Sequence, residues 1–248
     1  MKQHSEKITM DLGGSATLGK TPWNDSTEKV LGKATDKLRK ERVDLFVKTL
    51  GLGPDDIVLD LGSEDGSYLG QYYPYPENIV LADIFEEPMK RGVLKYGLKG
   101  YQLIPIDGPL PFEDQSFDAV WCNSAIEHVT VPRSELRSIS SAEFKRRAEK
   151  HQKVFAKEIA RVGKRYFVQT PYLHFVLEAH SWLPLVHYFS HVTRYRLSKW
   201  TKRFWVKQWS ADFMAYSKRR FKAHFPTATG LLDEKVAGMT KSIIAYKK

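Results

Sequence analysis

The feature that most constrains this chain is a strand that stops on an acid and turns through glycines. Val58-Leu59-Asp60-Leu61 is a short apolar run that breaks at once into Gly62-Ser63-Glu64-Asp65-Gly66. A second run, 78–83, ends on another acid, Asp83, 23 residues after Asp60. Glycines at the end of a buried strand let backbone approach a ligand closely, and a carboxylate ending the next strand is placed to accept from ribose hydroxyls. The Gly62-x-x-x-Gly66 spacing is not the G-x-G-x-x-G of dinucleotide folds, which counts against NAD or FAD. Taken alone, the turn serves equally well as a tight strand-to-helix connection.

The surroundings extend the pattern. Apolar positions at helical spacing predict a helix over about 26–50, with Asp25 or Ser26 as N-cap and Gly51 and Gly53-Pro54 as the stop. Strands are predicted at 57–61, 78–83, 101–106, 117–122 and 164–170, and helices at 86–96 and 140–162. The last helix carries Phe144, Ala148, Phe155, Ile159 and Val162 on one face. These strands are continuously apolar, so both faces are covered, which is the mark of a parallel sheet between helices. Two further strands, 231–236 and 241–246, meet at a tight turn at Gly238. The expected fold is α/β: a Rossmann-like, mostly parallel seven-stranded sheet with a C-terminal antiparallel hairpin and helices on both faces. Residues 1–24 read as a polar N-terminal arm, and 25–248 as one domain with a basic, aromatic, helical insertion at about 172–225.

Composition removes several classes. One cysteine in 248 residues, Cys122, excludes an intramolecular disulfide framework and a cysteine-based zinc cluster, and fits a reducing cytoplasm. The first ten residues lack the apolar core of a signal peptide. The most apolar window, 172–189, holds Glu178, three histidines and Pro184, so it does not span a membrane. The net charge of +10 is concentrated: residues 194–222 hold ten Lys and Arg against one acid, Asp212.

Four motifs in order carry a resemblance. Val58-Leu59-Asp60-Leu61-Gly62, then Asp83, then the run from Ile106-Asp107-Gly108-Pro109 to Phe117-Asp118-Ala119-Val120, then Ile126-Glu127-His128-Val129 resemble the class I S-adenosylmethionine-dependent methyltransferases. The likeness is closest to those acting on small-molecule oxygen and carbon acceptors, and covers about 55–170. It implies S-adenosyl-L-methionine as cofactor, with the methionine part against Asp60, Gly62, Ser63 and Gly66. It further implies the ribose on Asp83, the adenine beside Asp107 and Gly108, and Asn123 lining the pocket after the fourth strand. Glu64 stands where the family usually has a middle glycine.

An activated sulfonium needs the methyl held in line with its nucleophile at about 3 Å, in a site closed to water. An oxygen acceptor must also lose a proton, a task that suits a histidine, whose pKa is near 6.5. His128 follows the fourth strand, where the methyl should point; its plainer reading is a group tying down a helix start. Glu178 and His180 follow the fifth strand, as an acid–base pair orienting an acceptor or as a cap within a lid. In some ubiquinone-pathway relatives the Glu-His pair joins an upstream acid at a metal. That position is Ser124 here, so no metal is expected. His187 and His191, four apart, have no third ligand at a known spacing and read as packing or solvated groups.

In the basic segment, Trp205, Trp209, Phe213 and Tyr216 recur at helical intervals among the cations. Such a stripe suits a helical cap on the sheet, an interfacial helix on anionic lipid, a lid over an anionic acceptor or, less well, a nucleic-acid surface. The expectation is a cytoplasmic enzyme, peripheral to membrane at most, methylating an oxygen of a small or lipid-linked, saccharide-type acceptor. Its rival is a noncatalytic module of the same fold that binds membrane or nucleic acid through 194–222. Base N-methylation is disfavoured, since Asn123-Ser124-Ala125-Ile126 stands where an Asn-Pro-Pro-Tyr motif would be.

Overall fold

A computed structural model describes residues 25–178, 180–205 and 209–248, with side chains from residue 36 onward. The polar arm expected over 1–24, and Ala179 and 206–208 within the basic aromatic insertion, lie outside the described residues.

Among the described residues, seven strands form one sheet: β1 (Val58–Leu61), β2 (Ile79–Asp83), β3 (Gly100–Leu103), β4 (Phe117–Asn123), β5 (Gly163–Pro171), β6 (Gly230–Val236) and β7 (Met239–Lys247). Their order is β3-β2-β1-β4-β5-β7-β6. The first five run parallel, and β7 enters antiparallel between β5 and β6. The α-helices among the described residues that flank it are α1 (Asp25–Leu50), α2 (Ser67–Tyr72), α3 (Glu86–Tyr96), α4 (Ser141–Val162), α5 (His191–Thr201) and α6 (Lys218–His224). The expected α/β architecture is present.

Side-chain alternation along the strands builds a core on each face. Val58, Ala119, Trp121, Phe167 and Ile244 pack with Phe46 of α1, Leu69 of α2 and Met89 of α3. Leu59, Leu61, Val120, Cys122, Tyr166 and Val168 pack with Ala156 and Ile159 of α4 and Phe221 of α6. Trp121 stacks on Phe167 at 5.4 Å with 5° between ring planes, and Phe46 closes on both. Among the described side chains of α1, Val43, Phe46 and Leu50 are buried, whereas Leu38, two helical turns before Phe46, is exposed. α4 starts where the Ser140 hydroxyl accepts from the Glu143 N–H at 3.2 Å, an N-cap. Its buried face runs Phe144, Ala148, Gln152, Ala156, Ile159, Val162. The hairpin turn has Ala237 and Gly238 both at positive φ, 49° and 79°, as a two-residue turn between right-twisted strands requires.

The segment 172–229 departs from the expected helical stripe. It is helical at α5 and α6, while 209–217 runs irregularly, with a bridge between Tyr172 and Tyr216. Phe213 and Tyr216 are fully buried, and the Met214 N–H donates to the Glu127 carbonyl at 2.8 Å. Two of the segment's cations hold that backbone in place. Buried Arg194 donates to the Phe213 carbonyl at 2.8 Å with its guanidinium 4.4 Å over the Phe213 ring, and Arg220 donates to the carbonyls of Met214 and Ala215. Tertiary hydrogen bonds to this backbone thus replace those that a helix would have made.

Because β1, β2, β4 and β5 are parallel, Leu61, Asp83, Asn123 and Pro171 end at one edge of the sheet, where ligands of open α/β sheets bind.

Candidate functional site

The turn after β1 is shaped by its glycines. Gly62 sits at φ +79°, and a Cβ there would lie 2.6 Å from the Ala125 Cβ; one on Gly66, at φ +63°, would lie 2.5 Å from Leu81 Cδ2. Glu64, at the family's middle-glycine position, adopts the same left-handed conformation at φ 61°. Its N–H donates to Asp83 Oδ2 at 2.9 Å, which offsets a strain of about 1 kcal/mol or more. The turn therefore keeps its shape without the glycine. Asp83 Oδ1 also accepts from the N–H groups of Ile84 (2.6 Å) and Phe85 (3.2 Å). Burial nonetheless pushes its carboxyl up, against these three donors.

Asp60 is fully buried, and neither of its oxygens nor the Ser63 hydroxyl has a hydrogen-bond partner. Burial, with Asp83 and Asp65 nearby, pushes the Asp60 carboxyl up to about 7. An unpaired buried carboxylate is costly unless a donor arrives. Asp60, Gly62, Ser63, Gly66 and Asp83 thus come together. Asp107 and Gly108 lie exposed on the loop after β3, with Asp107 3.8 Å from His151 Nδ1. Asn123, ending β4, is tied to α1: its Oδ1 accepts from Arg42 Nη1 at 2.8 Å, while Arg42 pairs with Glu234 of β6.

The three candidate catalytic residues meet at one point. His128 Nε2 lies 2.9 Å from His180 Nε2, the rings edge to face. Glu178 Oε1 is 2.6 Å from His180 Nδ1, and Asp212 Oδ1 is 3.3 Å from His128 Nδ1. The Glu178 carboxylate also accepts from the His180 N–H (2.8 Å) and the Ser181 N–H (2.6 Å), and Arg133 Nε donates to Asp212 Oδ2 at 2.6 Å. Buried Glu127 accepts from the Thr170 hydroxyl at 3.0 Å through Oε2 and brings Oε1 to 3.6 Å from His180 Nε2.

Burial works against charge on these groups, and their partners outweigh it. Glu127 and Glu178 push the His180 imidazole up to about 9, and His180 with its neighbouring donors holds Glu178 at about 2. His128 and Arg133 hold Asp212 below the usual carboxylate range. Nothing at His187 or His191 matches this cluster: the His191 ring stacks on Phe144 at 4.7 Å and 8°.

Residues 59–165 match the family model of a methyltransferase domain. These residues form a methyltransferase domain, of a family that depends on S-adenosylmethionine. No curated protein matches the chain. Among solved structures, a geranyl diphosphate C-methyltransferase from Streptomyces coelicolor A3(2), seen with Mg2+, geranyl diphosphate and S-adenosyl-L-homocysteine, shares the fold at 12% identity. Its TM-score is 0.55, with 92% of this chain and 85% of that one covered. A geranyl diphosphate methyltransferase in complex with SAM aligns at 14% identity and a TM-score of 0.52, covering 94% of this chain and 95% of that one.

The methyltransferase turn fits its cofactor class. Asp60 and Ser63 offer unpartnered acceptors suited to an ammonium, and Gly62 leaves space that a side chain would fill. Sequence reasoning missed Asp212, Arg133 and Arg42, which reach their partners across 84, 79 and 81 residues respectively: His128, Asp212 and Asn123. Asp212 did leave a signal, as the one acid among ten cations. Among the described residues no helix is long and apolar enough to cross a membrane.

Proposed function

We propose that this methyltransferase moves the methyl group of S-adenosylmethionine to an oxygen of a small or lipid-linked, saccharide-type acceptor seated against His128 and His180. The observation that carries this reading is the imidazole pair at the carboxyl ends of β4 and β5, each Nδ1 facing a carboxylate. The cofactor, when bound, supplies a methyl already activated on a sulfonium. Asp60 and Ser63 would hold its amino-acid end, Asp83 its ribose hydroxyls, and Asp107, Gly108 and Asn123 the flanks of the crevice. The chain then has to orient the acceptor, exclude water and weaken the acceptor oxygen's hold on its proton. Glu178 and Asp212 fix the two rings through Nδ1, and an acceptor oxygen seated against the pair would meet Nε2 once the two rings part.

A lipid-linked acceptor draws support from an exposed patch on and just after α5. Trp200 and Phe204 are exposed, their rings 4.7 Å apart, among exposed Arg196, Lys199, Lys202 and Arg203. Aromatic groups rimmed by cations suit an anionic, partly apolar ligand. The noncatalytic rival gives way to the matched methyltransferase domain.

Calorimetric titration with S-adenosylhomocysteine tests the cofactor side. Asp83→Ala should weaken binding about 10- to 100-fold, the value of hydrogen bonds to a charged group. Equal affinity in both proteins would remove the ribose assignment. Release of S-adenosylhomocysteine against a panel of sugar and lipid-extract hydroxyl acceptors tests the acceptor side, with His128→Ala expected to lose turnover while keeping cofactor affinity.

A further inference from the structure

The protons of the imidazole pair can be counted. A carboxylate has none to give, so the nitrogen facing it must be the N–H: Nδ1 of His180 donates to Glu178, and Nδ1 of His128 to Asp212. In the neutral rings both Nε2 atoms are then lone-pair acceptors pointing at each other 2.9 Å apart, a contact that only a cation between them, a proton or a metal ion, makes favourable. A third unsatisfied acceptor joins them, since Glu127 is fully buried and its Oε1 has no hydrogen-bond donor. Ligand atoms of Glu127, His128 and His180 all lie within 4.8 Å of one another. Three electron-pair donors converging without a donor between them call for a cation.

We propose that Glu127 Oε1, His128 Nε2 and His180 Nε2 form a binding site for one divalent transition-metal ion of the zinc, manganese or cobalt type. The donor set is two imidazoles and a carboxylate, which favours these ions over magnesium or calcium, whose sites are built from oxygen. Its second shell is in place: a carboxylate on each Nδ1, Arg133 on Asp212, and the Thr170 hydroxyl on the other Glu127 oxygen. Zinc–nitrogen bonds of about 2.0–2.1 Å at tetrahedral angles place two nitrogens about 3.3 Å apart, so the rings need separate by only a few tenths of an ångström. His128 and His180 are about one quarter and one fifth exposed, which leaves an open side for an acceptor oxygen. Ser124 plays no part, its hydroxyl donating to Gln169 at 2.8 Å. The third ligand comes instead from the segment after β5, 52 residues from His128, so linear spacing does not reveal it. The inference goes beyond methyl transfer and stands on this cluster alone.

The test is a titration of chelator-stripped protein with Co2+, then Zn2+, against a chromophoric competitor. The expected result is one equivalent bound, a visible cobalt d–d band, and affinity lowered at least 10-fold in His180→Ala and in His128→Ala. A readout without variants is mass-spectrometric mapping of carbethoxylated histidines, with Zn2+ expected to protect His128 and His180 and spare His174. No saturable 1:1 binding, no protection, or equal binding in wild type and variants would overturn the site and leave a shared proton as the bridging cation. S-adenosylhomocysteine calorimetry on the same samples separates the two readings: metal bound without cofactor would sink the methyltransferase assignment alone, and cofactor bound without metal would sink this one alone.

Discussion

Asp60→Asn should stabilise the free protein at neutral pH and weaken its grip on the cofactor. In the unliganded fold the Asp60 carboxyl is buried, unpartnered and raised from 3.8 to about 7, chiefly by burial and then by Asp83 and Asp65. A group whose folded pKa lies above its unfolded value holds its proton more tightly when folded. Stability is therefore full below about pH 4, falls as pH rises towards 7, and stays lower above it. The whole interval from 3.8 to about 7 corresponds to roughly 4 kcal/mol, of which about 2–3 kcal/mol is lost between pH 5 and 8. An uncharged amide of the same shape escapes that loss. At about 2–4 °C per kcal/mol for a chain of this size, the melting temperature of Asp60→Asn should gain about 4–10 °C on wild type at pH 8 relative to pH 5. On the proposed assignment the same change would remove a charged acceptor from the cofactor's ammonium, so S-adenosylhomocysteine affinity at pH 8 should fall about 10- to 100-fold. Differential scanning fluorimetry across pH and calorimetry on the same samples read both. A variant with no pH-dependent gain in melting temperature, or with undiminished cofactor affinity, would refute the reasoning.

Gly62→Ala should reduce cofactor binding and cost about 1–3 kcal/mol in urea unfolding, since its Cβ would press to 2.6 Å on Ala125 at a left-handed φ. Arg42→Ala should destabilise by about 2–4 kcal/mol, because it strands the largely buried Glu234 carboxylate and frees Asn123; Arg42→Lys, which cannot make both contacts, should recover only part. Trp121→Ala should cost about 3–5 kcal/mol by emptying the fully buried stack on Phe167, with the metal-site histidines unaffected in carbethoxylation mapping.

What was legible in the sequence follows from the range of the interactions. β1, β2, β4 and β5 could be read because burial on both faces leaves continuous apolar runs, and α4 because its face repeats at helical spacing. α2, six residues with Leu69 as its buried anchor, has no periodicity to read. The run 209–217 misleads for the opposite reason: Trp205, Trp209, Phe213 and Tyr216 keep helical intervals, while Arg220 and Glu127 bind that backbone from other elements. The glycine turn after β1, proposed to hold the cofactor, is local and could be read directly; even Glu64 is held by a contact, to Asp83, only 19 residues away.

The histidine–carboxylate cluster is assembled from three stretches, and its logic is electrostatic. A lone carboxylate placed among ten cations would ordinarily be scattered surface charge, but Asp212 is 3% exposed and lies between His128 and Arg133. Burying that charge is costly unless its partners are fixed. The fixing comes from both sides of Asp212. Thr130 donates to its carbonyl, Arg194 donates to the carbonyl of Phe213 next in sequence, and the Phe213 ring stacks on His180 at 4.8 Å. The irregular path of 209–217 is thus what delivers a carboxylate to one imidazole and an aromatic face to the other. A regular helix through the same residues would have satisfied its own backbone and carried neither group to the site.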